Sequence, residues 1–266
     1  MVFNARKTNS HLTKITEGAA TLKIGIIGGV GRMGGGLAFR LSKSHNVLIT
    51  SRNYEKAIIR AKSLETAAHE FHKNNMIGSI NGASDKEAIE QSEIVIITLP
   101  AQGTLQPIHE LKTFFRQDQI VISTVVSMKK SQGTFKHIPL SKPAATNLTD
   151  ETGSLKSVAE LIQELVRPAN VVSSFHTVPA AYLTDTEKVL NVDVFVAGND
   201  DTSITTASKL ICEIPNLRPL KVGPLENSRL IESMVPLLLN VATLNDLKEP
   251  LIRVIPWIPS AYSGCT

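Results

Sequence analysis

The sequence predicts an α/β fold, a Rossmann-type doubly wound parallel sheet with a second, smaller α/β domain. Three observations carry this. Short apolar strands alternate with helix-period segments from residue 22 to 128. Two of the strands, EIVIITL (93–99) and QIVISTVV (119–126), are continuous apolar runs, the composition of strands covered on both faces. Between the first strand and the first helix stands Gly29-Val30-Gly31-Arg32-Met33-Gly34, the pattern G-x-G-x-x-G.

The elements follow in order. Residues 1–20 hold no apolar run long enough for a signal peptide or a membrane span and are expected to form a loose tail. Ile24, Ile26 and Ile27 make the first strand. In the turn that follows, Gly29 is expected to allow the tight bend and Gly31 to let backbone approach a pyrophosphate. Gly34 lets the helix lie close on the strand, and the helix N-terminus offers free N–H groups to an anion. A second buried strand, NVLIT (46–50), leads through Ser51-Arg52-Asn53 into a helix from Tyr54 to about His72, with Ala57, Ile58, Ala61, Leu64 and Ala68 at helical spacing. A shorter helix covers 85–91, and Pro100 stops the strand that begins at Glu93. Residues 129–153, with Gly133, Pro139, Pro143 and Gly153, read as a crossing loop or hinge.

A second unit follows: helix 155–166, strands 170–174 and 192–197, helix 202–214 and strand 218–222. A last helix runs from Glu226 to about Lys248, apolar enough to be buried on several sides and kinked at Pro236. The expected division is a tail (1–20), a nucleotide-binding domain (21–150) and a smaller C-terminal domain (151–266). Leu230, Met234, Leu237, Leu238, Val241 and Leu244 on the last helix offer more apolar surface than one seam of a monomer covers, so a homodimer is expected.

Composition narrows the function. Of 266 residues, 42% are hydrophobic and 20% charged, as in ordinary globular proteins, and no run of about 18 apolar residues could span a membrane. A net charge of +4 without runs of Lys and Arg favours phosphorylated small molecules over nucleic acid. Cys212 and Cys265 stand in no metal-ligand spacing and make no disulfide framework, which points to the cytoplasm and to no metal.

The residues closing the second strand choose between the nicotinamide dinucleotides. An NAD site usually presents Asp or Glu there for the ribose 2′-hydroxyl. This chain has Thr50-Ser51-Arg52, with Lys56 one helical turn on. An acid would repel a 2′-phosphate, whereas a hydroxyl, a guanidinium and an ammonium bind it through charge-assisted bonds, so NADP is expected. A purely structural alternative makes Ser51 the N-cap of the helix and leaves both cations solvated.

Acid–base equipment is sparse. Tyr54, Tyr182 and Tyr262 are followed four residues on by Ile58, Thr186 and Thr266, so no Tyr–Lys pair is present. Arg229 on the last helix cannot release a proton. His11 and His45 fall in tail or turn sequence, His69 and His72 on the solvated side of a helix end, His109 and His137 in polar surroundings. Only His176 ends a buried strand, where it is either a core histidine or a ligand contact at the C-terminal edge of a sheet. Such a site suits an acceptor that takes hydride without assisted proton transfer.

Five segments, GGVGRMGGGLAFRL (28–41), SRNYEK (51–56), FHTVPAAYL (175–183), DVFVAGNDD (193–201) and LRPLKVGPLENSRLIESMVPLLLN (217–240), resemble the NADPH-dependent reductases of the deazaflavin coenzyme F-420 (F420). The resemblance spans about residues 22–253 and implies hydride exchange between NADP and the deazaflavin in a cleft between two domains. By position it implies that Val30 to Met33 line the pyrophosphate and that Ser51, Arg52 and Lys56 hold the 2′-phosphate. Leu99, Ala101 and Val126 would border the nicotinamide, and His176 to Ala180, including Val178 and Pro179, would shape the ring pocket. No residue is expected to act as acid or base; catalysis would be positioning. Val30 stands where the family suggests a threonine, and Ala101 where a bulkier aromatic can occur. The alternatives are another NADP-dependent reductase, of imine or ferric reductase-like type, and a non-catalytic NADP sensor. Retention of the 176–180 and 223–240 segments argues against the sensor.

Overall fold

The computed structural model describes residues 21–73, 75–138, 140 and 147–255. The expected tail, Pro139, Pro143 and the segment after Ile255 lie outside the described residues. In chain order the elements are β1 (Lys23–Ile27), α1 (Arg32–Leu41), β2 (Asn46–Thr50), α2 (Tyr54–Phe71), β3 (Ser79–Ala83), α3 (Asp85–Gln91), β4 (Ile94–Ile97), α4 (Leu105–Leu111) and β5 (Ile120–Ser123). A hairpin of β6 (Met128–Ser131) and β7 (Thr134–His137) precedes α5 (Val158–Val166), β8 (Asn170–Ser173), α6 (Ala180–Thr184), β9 (Val192–Gly198), α7 (Asp201–Cys212), β10 (Leu217–Gly223) and α8 (Ser228–Leu244).

Eight strands form one sheet in the order β10-β9-β8-β5-β4-β1-β2-β3. The six from β8 to β3 are parallel. β9 runs antiparallel to β8, and β10 parallel to β9. Strand order reverses between β1 and β4, the switch point beside which α/β proteins bind ligands at the carboxyl ends of their strands. The doubly wound fold expected from the sequence is present.

Alternation along each strand splits the apolar residues between two faces. Ile24, Ile26, Ile94, Ile96, Ile122 and Val172 pack with α1, α2 and α7. Ile27, Val95, Ile97, Val121 and Val171 pack with α3, α4 and α5. Burial on both sides explains why these strands read as continuous apolar runs.

Several expectations are corrected. Residues 129–153 are not wholly irregular, because β6 and β7 pair antiparallel across Gln132 and Gly133, both at positive φ (50° and 79°). That is the backbone of a two-residue hairpin turn. Asn240 of α8 clamps the hairpin, accepting from the Phe135 N–H (2.6 Å) and donating to its carbonyl (2.8 Å). The last helix is not buried on several sides within one chain, since Leu230, Leu237 and Leu244 are 68%, 61% and 69% exposed. Cys212 is disulfide-bonded, against the expectation that the cysteines make no disulfide. Beyond α8 the chain returns to β9, where fully buried Asp193 accepts from Arg218 and from the Val254 N–H.

Candidate active site

Apart from Lys56, in the first turn of α2, the residues expected to meet a ligand follow the carboxyl ends of parallel strands. In sheet order these ends carry Ser51 and Arg52 (β2), Gly28 to Gly34 (β1), Leu99 and Ala101 (β4), Val126 (β5) and His176 to Ala180 (β8). Three threonines lace the edge together. Thr50 Oγ1 accepts from the Gly28 N–H (3.2 Å), Thr98 donates to the Ile27 carbonyl (3.0 Å) and Thr124 donates to the Ile97 carbonyl (3.1 Å). Sequence reasoning missed them; the signal was a threonine within a residue of three successive strand ends.

The glycines divide the work differently from expectation. The left-handed residue is Gly28 (φ 83°), not Gly29. Gly29 is needed because a Cβ there would lie 2.6 Å from Ile49 Cβ. A Cβ on Gly34 would meet Gly29 Cα and Thr98 Oγ1, each at 2.7 Å, so this glycine brings α1 onto β1 as expected. Gly31 is exposed, and the Gly28 carbonyl oxygen is the one described atom close to an added Cβ, at a tight 3.3 Å. It is also the N-cap of α1, and neither a capping side chain nor an acid in the first turn occupies the helix N-terminus. An open backbone concavity at an uncapped helix N-terminus is suited to a pyrophosphate. Arg32 is exposed there, 3.9 Å from Glu249, and Met33 packs against the core.

At the β2 end, Asn53 and not Ser51 caps α2, its side chain accepting from the Lys56 N–H (3.0 Å). The N-cap alternative for Ser51 is therefore wrong. Among the described residues its hydroxyl accepts only from the Asn53 N–H, at 3.3 Å, with lone-pair capacity to spare. The side chains of Arg52 and Lys56 are exposed and have no partner among the described residues.

At the ring end, Leu99 packs against Gly28, a Cβ on which would lie 3.0 Å from Leu99 Cδ2. Ala101 is buried and Val126 half-buried. His176 is buried, and neither ring nitrogen has a hydrogen-bond partner among the described residues. Burial lowers its pKa to about 4, opposed in part by a Val125 backbone interaction that falls short of a well-formed hydrogen bond, so the imidazole is neutral at pH 7. The hydroxyls of Ser127, Ser173 and Ser174, near the same strand ends, are likewise buried without partners among the described residues. Orphaned polar atoms at this edge are suited to a polar ring system that completes them.

Among the described residues, His45, His72 and His137 have polar neighbours. His45 is buried, not in an open turn, with Nε2 2.8 Å from Glu213. His72 is half-buried with Nε2 3.3 Å from the Phe39 carbonyl, which corrects the solvated reading. His137 faces buried Glu232 at 3.9 Å. No group of three or more His, Cys, Asp or Glu able to hold a metal occurs among the described residues.

Comparison with known proteins agrees with this geometry. Residues 23–127 match the family model described as NADP oxidoreductase, coenzyme F420-dependent. The F420-dependent NADP reductase of Methanocaldococcus jannaschii is 34% identical over 239 residues, covering 88% of this chain and 98% of that one. Its counterpart from Methanothermobacter marburgensis is 29% identical, with the same coverage of both. A crystal structure from Arthrobacter sp. FB24, of a candidate F420 dependent NADP reductase, superposes with a TM-score of 0.66 at 18% identity, covering 88% of this chain and 100% of that one, and shows the shared fold. The chain belongs to the family of F420-dependent NADP reductases.

Proposed function

We propose that this protein transfers hydride between NADP(H) and the deazaflavin coenzyme F420, and that it does so by positioning, without a protein acid or base. The observation that carries the mechanism is His176, a buried neutral imidazole whose ring nitrogens have no side-chain hydrogen-bond partner among the described residues. The deazaflavin supplies a carbon that accepts or gives hydride as a two-electron unit. The chain's own residues bind and orient. Val30 to Met33, around the open side of Gly31, hold the pyrophosphate, and Ser51, Arg52 and Lys56 hold the 2′-phosphate. Leu99, Ala101 and Val126 form the wall on the nicotinamide side, opposite Val178, Pro179 and Ala180. His176 and its neighbouring serines hydrogen-bond the polar edge of a ring while excluding bulk water. Two flat rings held at near-attack distance, about 3–3.5 Å, are all the step requires.

Residues 21–150 then carry the nucleotide, and 151–266 complete the ring cleft. The same reading makes the enzyme cytoplasmic and a homodimer, with small molecules and not nucleic acid as partners. No helix among the described residues is long and apolar enough to cross a membrane. The test is direct: protein, NADPH and F420 are mixed, and loss of the deazaflavin's visible absorbance is followed. Reduction of F420 supports the reading. NADPH binding without any reduction, or reduction of an imine but not of F420, overturns it.

A further inference from the structure

The helix that starts at the glycine turn ends against the segment that carries the ring pocket, and one side chain joins them. Arg40, in the last turn of α1, is half-buried. Its Nε donates to the Leu183 carbonyl (2.6 Å), and Nη2 donates to the carbonyls of Tyr182 (3.2 Å) and Asp185 (3.4 Å). These are carbonyls at the end of α6, a five-residue helix that ends with no intrahelical partner for them. A cation from another element therefore caps α6 at its negative end. The guanidinium also lies 4.8 Å from the Phe71 ring centroid, so its plane is set by stacking on α2 as well. The two helices touch closely: a Cβ on Gly36 would lie 2.5 Å from Leu183 Cβ.

We propose that Arg40 is a positioning residue for hydride transfer, clamping the turn that carries His176 to Ala180 onto the helix that carries the pyrophosphate turn. The proposal rests on the functional reading above. α6 begins at Ala180 directly after Val178 and Pro179, so sliding α6 along α1 moves the ring pocket relative to the nucleotide. Positioning catalysis is sensitive to such movement, since a misplacement of about 1 Å can cost about a hundredfold. Lysine replaces the clamp only in part, because a single ammonium does not span three carbonyls in a fixed plane.

The test measures kcat with NADPH and F420, the equilibrium Kd for NADPH, and the isotope effect with hydride-deuterated NADPH, in Arg40→Met and Arg40→Lys. Activity is expressed per NADPH-binding site, so partial unfolding does not enter. Arg40→Met is expected to lower kcat at least about fivefold and raise the isotope effect, with Kd within about threefold of the unmodified protein. Arg40→Lys is expected to recover part of the loss. A merely structural role would lower the melting temperature and the fraction of binding sites while leaving kcat per site and the isotope effect unmoved. Where Arg40→Met does not fold, Gly36→Ala answers the same question: it keeps the cation but forces α6 outward, and the same criteria apply. A fall in kcat below fivefold, or one matched by lost NADPH binding, overturns Arg40's role alone. Absence of F420 reduction by the unmodified protein overturns the functional reading, and the proposal with it.

Discussion

On the proposed reading, Arg52 and Gly31 would serve the two halves of nucleotide recognition. Arg52 is exposed and without a partner among the described residues, so Arg52→Ala removes no internal contact. It is expected to weaken NADP binding by about 1.5–3 kcal/mol, the usual range for a hydrogen bond to a charged group, and to leave NAD binding nearly unchanged. Titration with both nucleotides checks this, and equal losses would make Arg52 a structural residue. Gly31 has φ −70°, and a Cβ there would meet only the Gly28 carbonyl oxygen, at a tight 3.3 Å, so Gly31→Val needs a small local adjustment and no left-handed backbone. Its side chain would fill the pyrophosphate space, and both nucleotides should fail to bind to a protein that still melts cooperatively; normal binding of either sinks the glycine-turn assignment. His176 gives a pH test. Its folded pKa of about 4 lies below the ordinary 6.5, so the unfolded chain binds more protons between these values. Stability from this group is present above pH 6.5 and lost as pH falls toward about 4, and His176→Gln should flatten that part of the stability profile. The same variant should lower turnover only modestly. A loss of at least about 10²-fold, together with disappearance of a single titration from the rate profile, would instead identify a general acid and overturn the positioning mechanism.

Helix α5 shows how an element is held in place. Its Ser157–Glu160 capping box is a local signal in the sequence. Its other N-terminal partner comes from α8: the carboxylate of Glu232, fully buried, accepts from the N–H groups of Val158 (3.0 Å) and Ala159 (3.1 Å). Glu232→Ala would orphan both donors and is expected to cost about 2–4 kcal/mol by urea denaturation. Glu232→Gln, which keeps one acceptor, should cost less; a cost under about 0.5 kcal/mol for both would show that the cap contributes nothing. This pairing also marks where sequence reading stops. Strands β1, β2, β4 and β5 and helices α2 and α3 were legible because their apolar residues recur at fixed spacing. β3 was not, because SINGA has no apolar run and becomes a strand only by pairing with β2. α6 was not legible either, being five residues long and capped by an arginine about 140 positions away. The nucleotide end of the site lies within one βαβ segment and could be read locally. The ring end depends on orphaned hydroxyls and a neutral histidine, which are consequences of burial and leave no local mark.

At the scale of the molecule, one seam is left open by a single chain. Leu230, Met234, Leu237, Val241 and Leu244 recur at spacings of four and three along α8, the stripe by which helices pack side by side. Other sides of α8 are engaged: Glu232, across the helix from the stripe, caps α5, and Asn240, on its flank, clamps the hairpin. Leu230, Leu237 and Leu244 remain more than half exposed, a contiguous apolar row that a soluble monomer rarely leaves to water. A second copy of the same stripe would cover it by two-fold symmetry. Light scattering at micromolar protein is therefore expected to give about twice the 28.8 kDa of one chain. Leu237→Glu places a charge in the middle of the seam without touching the core and should give the single-chain mass, with a folded-state spectrum unchanged. Melting provides an independent reading. A dimer that unfolds to monomers melts higher as protein concentration rises, and Leu237→Glu should remove that dependence. A single-chain mass for the unmodified protein, with a melting temperature indifferent to concentration, would overturn the dimer and leave the exposed leucines of α8 without a partner.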